Sequence, residues 1–471
     1  MSEEGAPVAK QGFKLNYKRT FIIGFAFFGI LMMWQVYDNY ASSFLSELFM
    51  DVFHKDNPED VQYLVGMMMA LDNLAALIMM PIFGSLSDKT HTRIGKRMPY
   101  ILVGTFACAV FFPFMPVAFH YHSLPALIVL MAFTVFFAMM YRNPAVALMP
   151  DLTPKPLRSK ANGIINIMGY IGGAVPTILG MFLVLSKYLG EKDPGSWQHN
   201  NIWVIEIPFL LASVLMIVSV LILFFLIKEN KIKEEIKDDL DRGEKEAEIA
   251  DSVEADAPLS KANKTMLILI LVAEFFWFMA DNGIGTFMTN YTRYHLQAST
   301  SSLSLNTIIS GLMSVVGFVC GGLIAGKIGR KWTLTSGLLL TLLSYVLWLI
   351  LGLAIKPNGT FPIYIYALFA VKGFGMSLVH VNSFPMVVEL CNAKKIGRFT
   401  GLYYASSMLA QTITPTLIGL LLLTKGFSFS LLPLYALICI AISAGLFFFV
   451  KSVKLNKTKI KVGLEALDQD D

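Results

Sequence analysis

The chain has 471 residues, of which 55% are hydrophobic and only 15% charged, with a net charge of +5 and a mean hydropathy of +0.61. A soluble chain of this size carries about 25% charged residues to cover its water-facing surface. That deficit excludes a soluble multidomain enzyme and a disordered scaffold, and it points to an all-α membrane protein that crosses the bilayer repeatedly.

A helix needs about 20 mostly apolar residues to cross a hydrocarbon core of ~30 Å. Twelve stretches qualify: Thr20–Leu48, Gln62–Leu86, Pro99–Phe119, Leu124–Pro150, Ala161–Ser186, Asn201–Ile227, Lys264–Arg293, Leu303–Ala325, Trp332–Ala354, Phe361–Val388, Arg398–Thr424 and Phe429–Val450. They are long and continuous, unlike the short alternating strands of a membrane barrel. An even number of spans puts both termini on one side. With the tails and the even-to-odd loops on that side, thirty of the 38 basic residues collect there. The opposite loops hold Lys55, Lys187, Lys192, Arg293, Lys356 and Lys425, and Arg142 and Lys372 fall inside spans. The positive-inside rule then puts both termini in the cytoplasm of a multi-pass plasma-membrane protein.

The expected layout is a cytoplasmic tail over 1–19, a six-helix bundle over 20–227, a cytoplasmic linker over 228–263, a second six-helix bundle over 264–450 and a tail over 451–471. The basic N-terminus lacks the short apolar core of a cleaved signal peptide. Cys108, Cys320, Cys391 and Cys439 avoid the outward loops, so no structural disulfide is expected. No Cys or His spacing suggests a metal site, and no cofactor is expected beyond a coupling ion. The linker is highly charged and without aromatics, which reads as a solvated, partly helical hinge; a docking segment is the other reading.

The halves repeat. Trp34, Asp38 and Asn39 of span one match Trp277, Asp281 and Asn282 of span seven; Arg93–Arg97 matches Lys327–Lys331; Asp151 and Gly163 match Glu389 and Gly401. In that register Arg142 faces His380. Internal repeats on this scale mark secondary transporters.

The segment GSLSDKTHTRIGKR, from Gly84 to Arg97, resembles the loop between spans two and three of the major facilitator superfamily. Its S-D-K-x-x-x-R-x-G-K-R form resembles most the sugar–cation symporter branch, which includes the glycoside–pentoside–hexuronide symporters and the sucrose/maltose–proton symporters. The stretch from Tyr141 to Gly163 is similar to bacterial members. The resemblance implies the major facilitator fold, two pseudo-symmetric six-helix bundles rocking about a central site, with spans one and four lining the cavity. Plant sucrose symporters carry an Arg nearer the end of span four, where Val146 stands here, so Arg142 is not a clean positional match.

Two sets of residues carry the expected chemistry. Asp88 closes span two, and Arg93, Lys96 and Arg97 follow; pairing with Asp88 or Asp151 would gate the cytoplasmic face. The second copy lacks the acid of the first, with Gly326 nearest. Within the spans lie Asp38, Asp72, Arg142, Glu206, Glu274, Asp281, Lys372 and His380. A charge in hydrocarbon costs about 3 kcal/mol or more, so such residues face a cavity or one another. Asp38, Asp72 and Asp281 each sit roughly ten residues, ~15 Å, from the outer end of their spans, near the midplane. Asp38 and Asp72 are expected to couple the cation, with Arg142 as counter-charge. Trp34, Tyr37, Asp38, Asn39, Asn73, Arg142, Asn143, Trp277, Asp281, Asn282, His380 and Asn382 are the expected sugar-binding set. An aromatic face beside fixed amides and acids suits a sugar better than an apolar drug.

The leading expectation is a proton-coupled symporter of a glucoside such as sucrose or maltose, monomeric, non-enzymatic and without nucleic-acid partners. A sodium-coupled glycoside symporter or an exporter of another solute is the rival transporter. A transporter-like nutrient sensor is the rival of another class, disfavoured by tails of about 20 residues with no room for a signalling domain.

Overall fold

The computed structural model describes residues 13–182, 202–253, 261–353, 360–390 and 396–451. Lys187, Lys192, Lys356, Cys391, the span edges Ser186, Asn201 and Ala354, and most of both tails lie outside the described residues. The regular secondary structure of the described residues is entirely helical, with no strand among them.

Twelve helices are long and apolar enough to cross a membrane. Spans one to six comprise Tyr17–Phe53, Gln62–Lys89, the pair Met98–Phe111 and Phe114–His120, Leu124–Asp151, Arg158–Phe182 and Ile202–Leu226. Spans seven to twelve comprise Lys261–Asn290, Thr300–Ile328, Arg330–Gly352, Ile363–Glu389, Ile396–Leu422 and Leu432–Phe449. Span three divides at Pro113, where the ring removes a backbone donor. Span one is longer than its apolar stretch predicts. Asn16 caps its start through Arg19 N, and left-handed His54 ends it.

The buried apolar side chains fall into two clusters. One runs from Ile23 to Ile227, the other from Leu267 to Val450. Each half therefore owns a complete core, and the seam between them can open without exposing either. Span two lies along span eleven, span five along span eight, and span one meets span seven. The internal repeat maps the first contact onto the second, which makes the halves pseudo-symmetric.

Backbone meets backbone where spans two and eleven cross. A β-carbon at Gly66 would overlap the Pro415 carbonyl, and one at Gly419 would overlap the Gln62 carbonyl. Membrane helices gain contact area in this way, because lipid provides no hydrophobic drive between them.

The linker departs from a solvated hinge. It forms helices over Glu229–Glu235 and Lys237–Val253. Its first residues dock on the loop between spans two and three, and Gly243 rests against Pro154 to Pro156 of the next loop. A charged segment needs only a few buried hydrogen bonds to hold it, and composition does not reveal them.

Candidate functional site

Span one is enclosed by spans two, four, five, six and seven. Asp38 is nonetheless exposed at mid-span. Its open face therefore looks into a space within the protein rather than into lipid. Trp34 and Gln35, one turn away, are half-buried beside it, and Gln35 Nε2 donates to Asn39 Oδ1 at 3.2 Å. The helical period that puts i, i+3 and i+4 on one face assembles this strip.

Arg142 of span four reaches the same space. Its guanidinium lies 5.9 Å from the Trp34 ring centre, a cation–π arrangement. It is the positive group whose field reaches Asp38, yet no ion pair within 4 Å joins them among the described residues. Asp72 stands differently. It accepts a hydrogen bond from the hydroxyl of fully buried Tyr37, which sits edge-on to Trp34 with ring centres 5.4 Å apart. The expected Arg142 counter-charge thus serves Asp38, and a tyrosine serves Asp72. Asp38 and Asp72 are close enough to feel each other's charge.

In the second half Lys372 Nζ of span ten pairs with Asp281 Oδ1 at 2.5 Å. His380, two turns along span ten, adds its field to the same carboxylate and meets the Phe278 ring at 5.5 Å. The repeat partners have therefore diverged: Asp38 has no direct ion pair and Asp281 has one. Lys372 was visible as an intramembrane charge without a role. An intramembrane base with an acid on a facing span is a signal that the two pair.

Several expected sugar ligands are committed elsewhere. Trp277 is fully buried against Phe447, unlike half-buried Trp34. Asn73 donates to the Met69 and Gln411 carbonyls at 3.3 and 3.0 Å, joining span two to span eleven. Asn143 donates to the Met80 carbonyl at 2.6 Å, joining span four to span two. Asn382 is buried and donates to the Leu378 carbonyl at 2.9 Å, with its oxygen unpartnered, as is the oxygen of Asn282. Two mid-span groups keep some exposure: Trp34, Asp38, Asn39, Asp72 and Arg142 in the first half, with Tyr37 buried behind Asp72, and Asp281, Lys372 and His380 in the second.

The loop motif forms one network. Arg97 donates from Nε to Asp151 at 2.9 Å, from Nη1 to Ser87 Oγ at 2.5 Å, and from Nη2 to Asp88. Lys96 Nζ lies 3.0 Å from Asp151 and 3.6 Å from Asp88. Arg93 is exposed and joins no ion pair among the described residues. Composition had not marked Glu229, the first residue of the linker helices. Its carboxylate accepts from the backbone N–H groups of Lys96, Arg97 and Met98 at 3.0 to 3.3 Å, capping the start of span three. A carboxylate there completes orphan donors and complements the helix dipole. Gly95, at φ +119°, turns the loop, and a β-carbon there would strike Glu229. Its repeat partner Gly329 also has positive φ, +87°. The second copy is less bare than expected: Arg330 Nε pairs with Glu389 at 2.7 Å, the counterpart of Lys96 with Asp151.

A second network seals the end opposite the termini. Glu47 of span one forms an ion pair with Arg293 just beyond span seven. Ser43 Oγ donates to Asn290 Oδ1 at 2.9 Å, Asn290 Nδ2 donates to Gln62 Oε1 at 3.0 Å, and Gln62 Nε2 donates to Ser46 Oγ at 2.8 Å. Phe429 N donates to Glu59 at 3.0 Å. These bonds tie spans one and two to spans seven and twelve and close that end.

Comparison with known proteins matches this architecture. The Major Facilitator Superfamily model covers residues 20–289 and 266–466, and the chain belongs to that superfamily. With its twelve apolar helices it is a multi-pass membrane protein. The isoprimeverose transporter of Lactiplantibacillus pentosus is 24% identical over 276 residues, 57% of this chain and 53% of that protein, so the chain matches about half of that relative's length. Among solved structures, a bacterial homologue of the iron transporter ferroportin in an inward-facing state superposes with a TM-score of 0.63 at 14% identity, over 92% of this chain and 99% of that one. A peptide transporter POT in complex with alafosfalin gives 0.62 at 14%, over 94% and 95%. A bacterial homologue of the human lysosomal transporter Spinster gives 0.61 at 12%, over 93% and 97%. These likenesses carry the fold.

Proposed function

We propose that the protein is a proton-coupled sugar symporter working by alternating access, taking a glucoside or related disaccharide. The observation that carries the reading is Asp38: a carboxylate at mid-span in the most enclosed helix of the first half, open to an internal space, with Arg142 over Trp34 near it but not clamped to it. A proton or a sugar hydroxyl can compete for such a carboxylate, whereas a locked salt bridge would refuse both. Trp34 offers a flat apolar face for a pyranose ring, and Gln35 and Asn39 supply oriented amides. The likeness to an isoprimeverose transporter, a carrier of a sugar, supports the substrate class. The distribution of Lys and Arg supports termini in the cytoplasm of a plasma-membrane protein.

In this cycle proton and sugar enter from outside and reach Asp38 and Asp72. The halves close over them with the outer seal described above. The Asp88–Arg97–Asp151 network opens and closes the cytoplasmic face. Maltose, sucrose and isoprimeverose, offered to proteoliposomes with an imposed proton or sodium gradient, test the reading. A proton gradient should drive uphill uptake of at least one, and Asp38→Asn should abolish accumulation while sparing exchange. Uptake driven by sodium alone would replace the proton, and uptake indifferent to both gradients would end the symport claim.

A further inference from the structure

Glu274 of span seven is fully buried, and neither of its carboxyl oxygens has a hydrogen-bond partner. No ion pair among the described residues includes it. Two helical turns separate it from Asp281, so both carboxyls lie on one stripe of span seven about 10 Å apart. Phe278 stands between them, against His380. Asp281 is partly exposed, while Glu274 is sealed two turns nearer the terminal side.

The groups around Glu274 do not neutralise it. Span eleven presents the Tyr403 and Tyr404 hydroxyls, the titratable groups that feel its charge. Tyr403 is already bonded to Ser383 of span ten at 2.8 Å. Lys372 and His380 of span ten serve Asp281. On span twelve, Tyr435 lies further along span seven, its ring against Gly283. Span one meets span seven at the far end, through Ser43 and Asn290. Lys264 of span seven is exposed nearly three turns away. A carboxylate sealed among such neighbours has nothing to balance its charge, so the neutral acid is the form that fits.

We propose that Glu274 is a proton-carrying site of the second half, loaded while its cover is closed as seen here and emptied toward the side that bears the termini. The proposal rests on the proton-coupled reading above. Movement of span eleven off span seven breaks the Tyr403 cover and admits water. The carboxyl O–H bond then breaks, the proton passes to water, and the carboxylate left behind is solvated. Each half thus contributes a protonatable centre, Asp38 with Asp72 in the first and Glu274 in the second.

Infrared spectra of the purified full-length protein at neutral pH test it directly. The wild type should show a protonated-carboxyl stretch that Glu274→Gln removes and that rising pH erases. Glutamine mimics the neutral acid in shape, so the variant should keep the wild-type melting temperature; an ionised and paired glutamate would leave a destabilised one. In proteoliposomes loaded with maltose or isoprimeverose, the variant should lose more of its proton-driven accumulation than of its exchange. A carboxyl band unchanged in Glu274→Gln, a sharply lowered melting temperature, or wild-type accumulation would overturn the proposal. A wild type whose uptake ignores a proton gradient would instead sink the coupling reading, and the infrared band would still decide whether Glu274 holds a proton.

Discussion

Glu47→Gln probes the seal opposite the termini. Glu47 and Arg293 retain 12% and 9% of their side-chain exposure, so water screens their attraction little. The pair bridges the two halves and exists only while that end is closed. Opening returns both groups to water, where losing the pair costs almost nothing. Removing one partner of a pair this buried costs about 3 kcal/mol. That shifts the closed-to-open ratio by roughly 150-fold. Ser43 makes a suitable reporter, because it is 1% exposed and bonded to Asn290 across the same seam. With the native cysteines replaced and Ser43→Cys introduced, alkylation by a membrane-impermeant maleimide reads the open fraction. Adding Glu47→Gln should raise the labelling rate by one to two orders of magnitude. A rise of less than about threefold would put the pair in the class of surface ion pairs, worth under ~1 kcal/mol, and refute the seal.

Other consequences follow from the same geometry. Gly66→Ala should raise Ser43→Cys labelling and slow transport, since its β-carbon overlaps the Pro415 carbonyl; Gly445→Ala, with nothing within 4 Å, is the control that should leave both unchanged. Glu229→Ala strips a cap from three backbone donors of span three and should cost about 1–2 kcal/mol, read as a lowered melting temperature; an unchanged melt would mean the linker is merely tethered. Asp281→Asn should destabilise the protein by stranding Lys372, and the double change with Lys372→Gln should recover part of the loss; additive losses would show that the two residues act separately.

Much of the architecture was legible because membrane insertion writes it into composition. Hydrocarbon admits only backbone that satisfies itself, so apolar runs must be helices and their flanks must hold the charge. The repeat was readable for a similar reason: Gly95 and Gly329 are glycines because both loops need positive φ, and Asp151 and Glu389 are acids because both face a basic neighbour. Individual roles were not readable. Trp34 and Trp277 occupy equal places in the repeat, yet one borders the central space and the other is core. Asn73 and Asn143 have the chemistry of sugar ligands, but each spends its amide on a neighbouring helix. Glu229 is one acid in a charged run until a helix start is placed against it.

The division is physical. Solvent preference acts residue by residue along the chain, so the sequence by itself determined twelve helices, their alternating sides and the handful of charges that hydrocarbon would reject. Pairing depends on which helix faces which. Only the packing of the helices against one another left Asp38 open, gave Asp72 to Tyr37 and Asp281 to Lys372, and closed the end opposite the termini through Glu47, Arg293, Asn290 and Gln62.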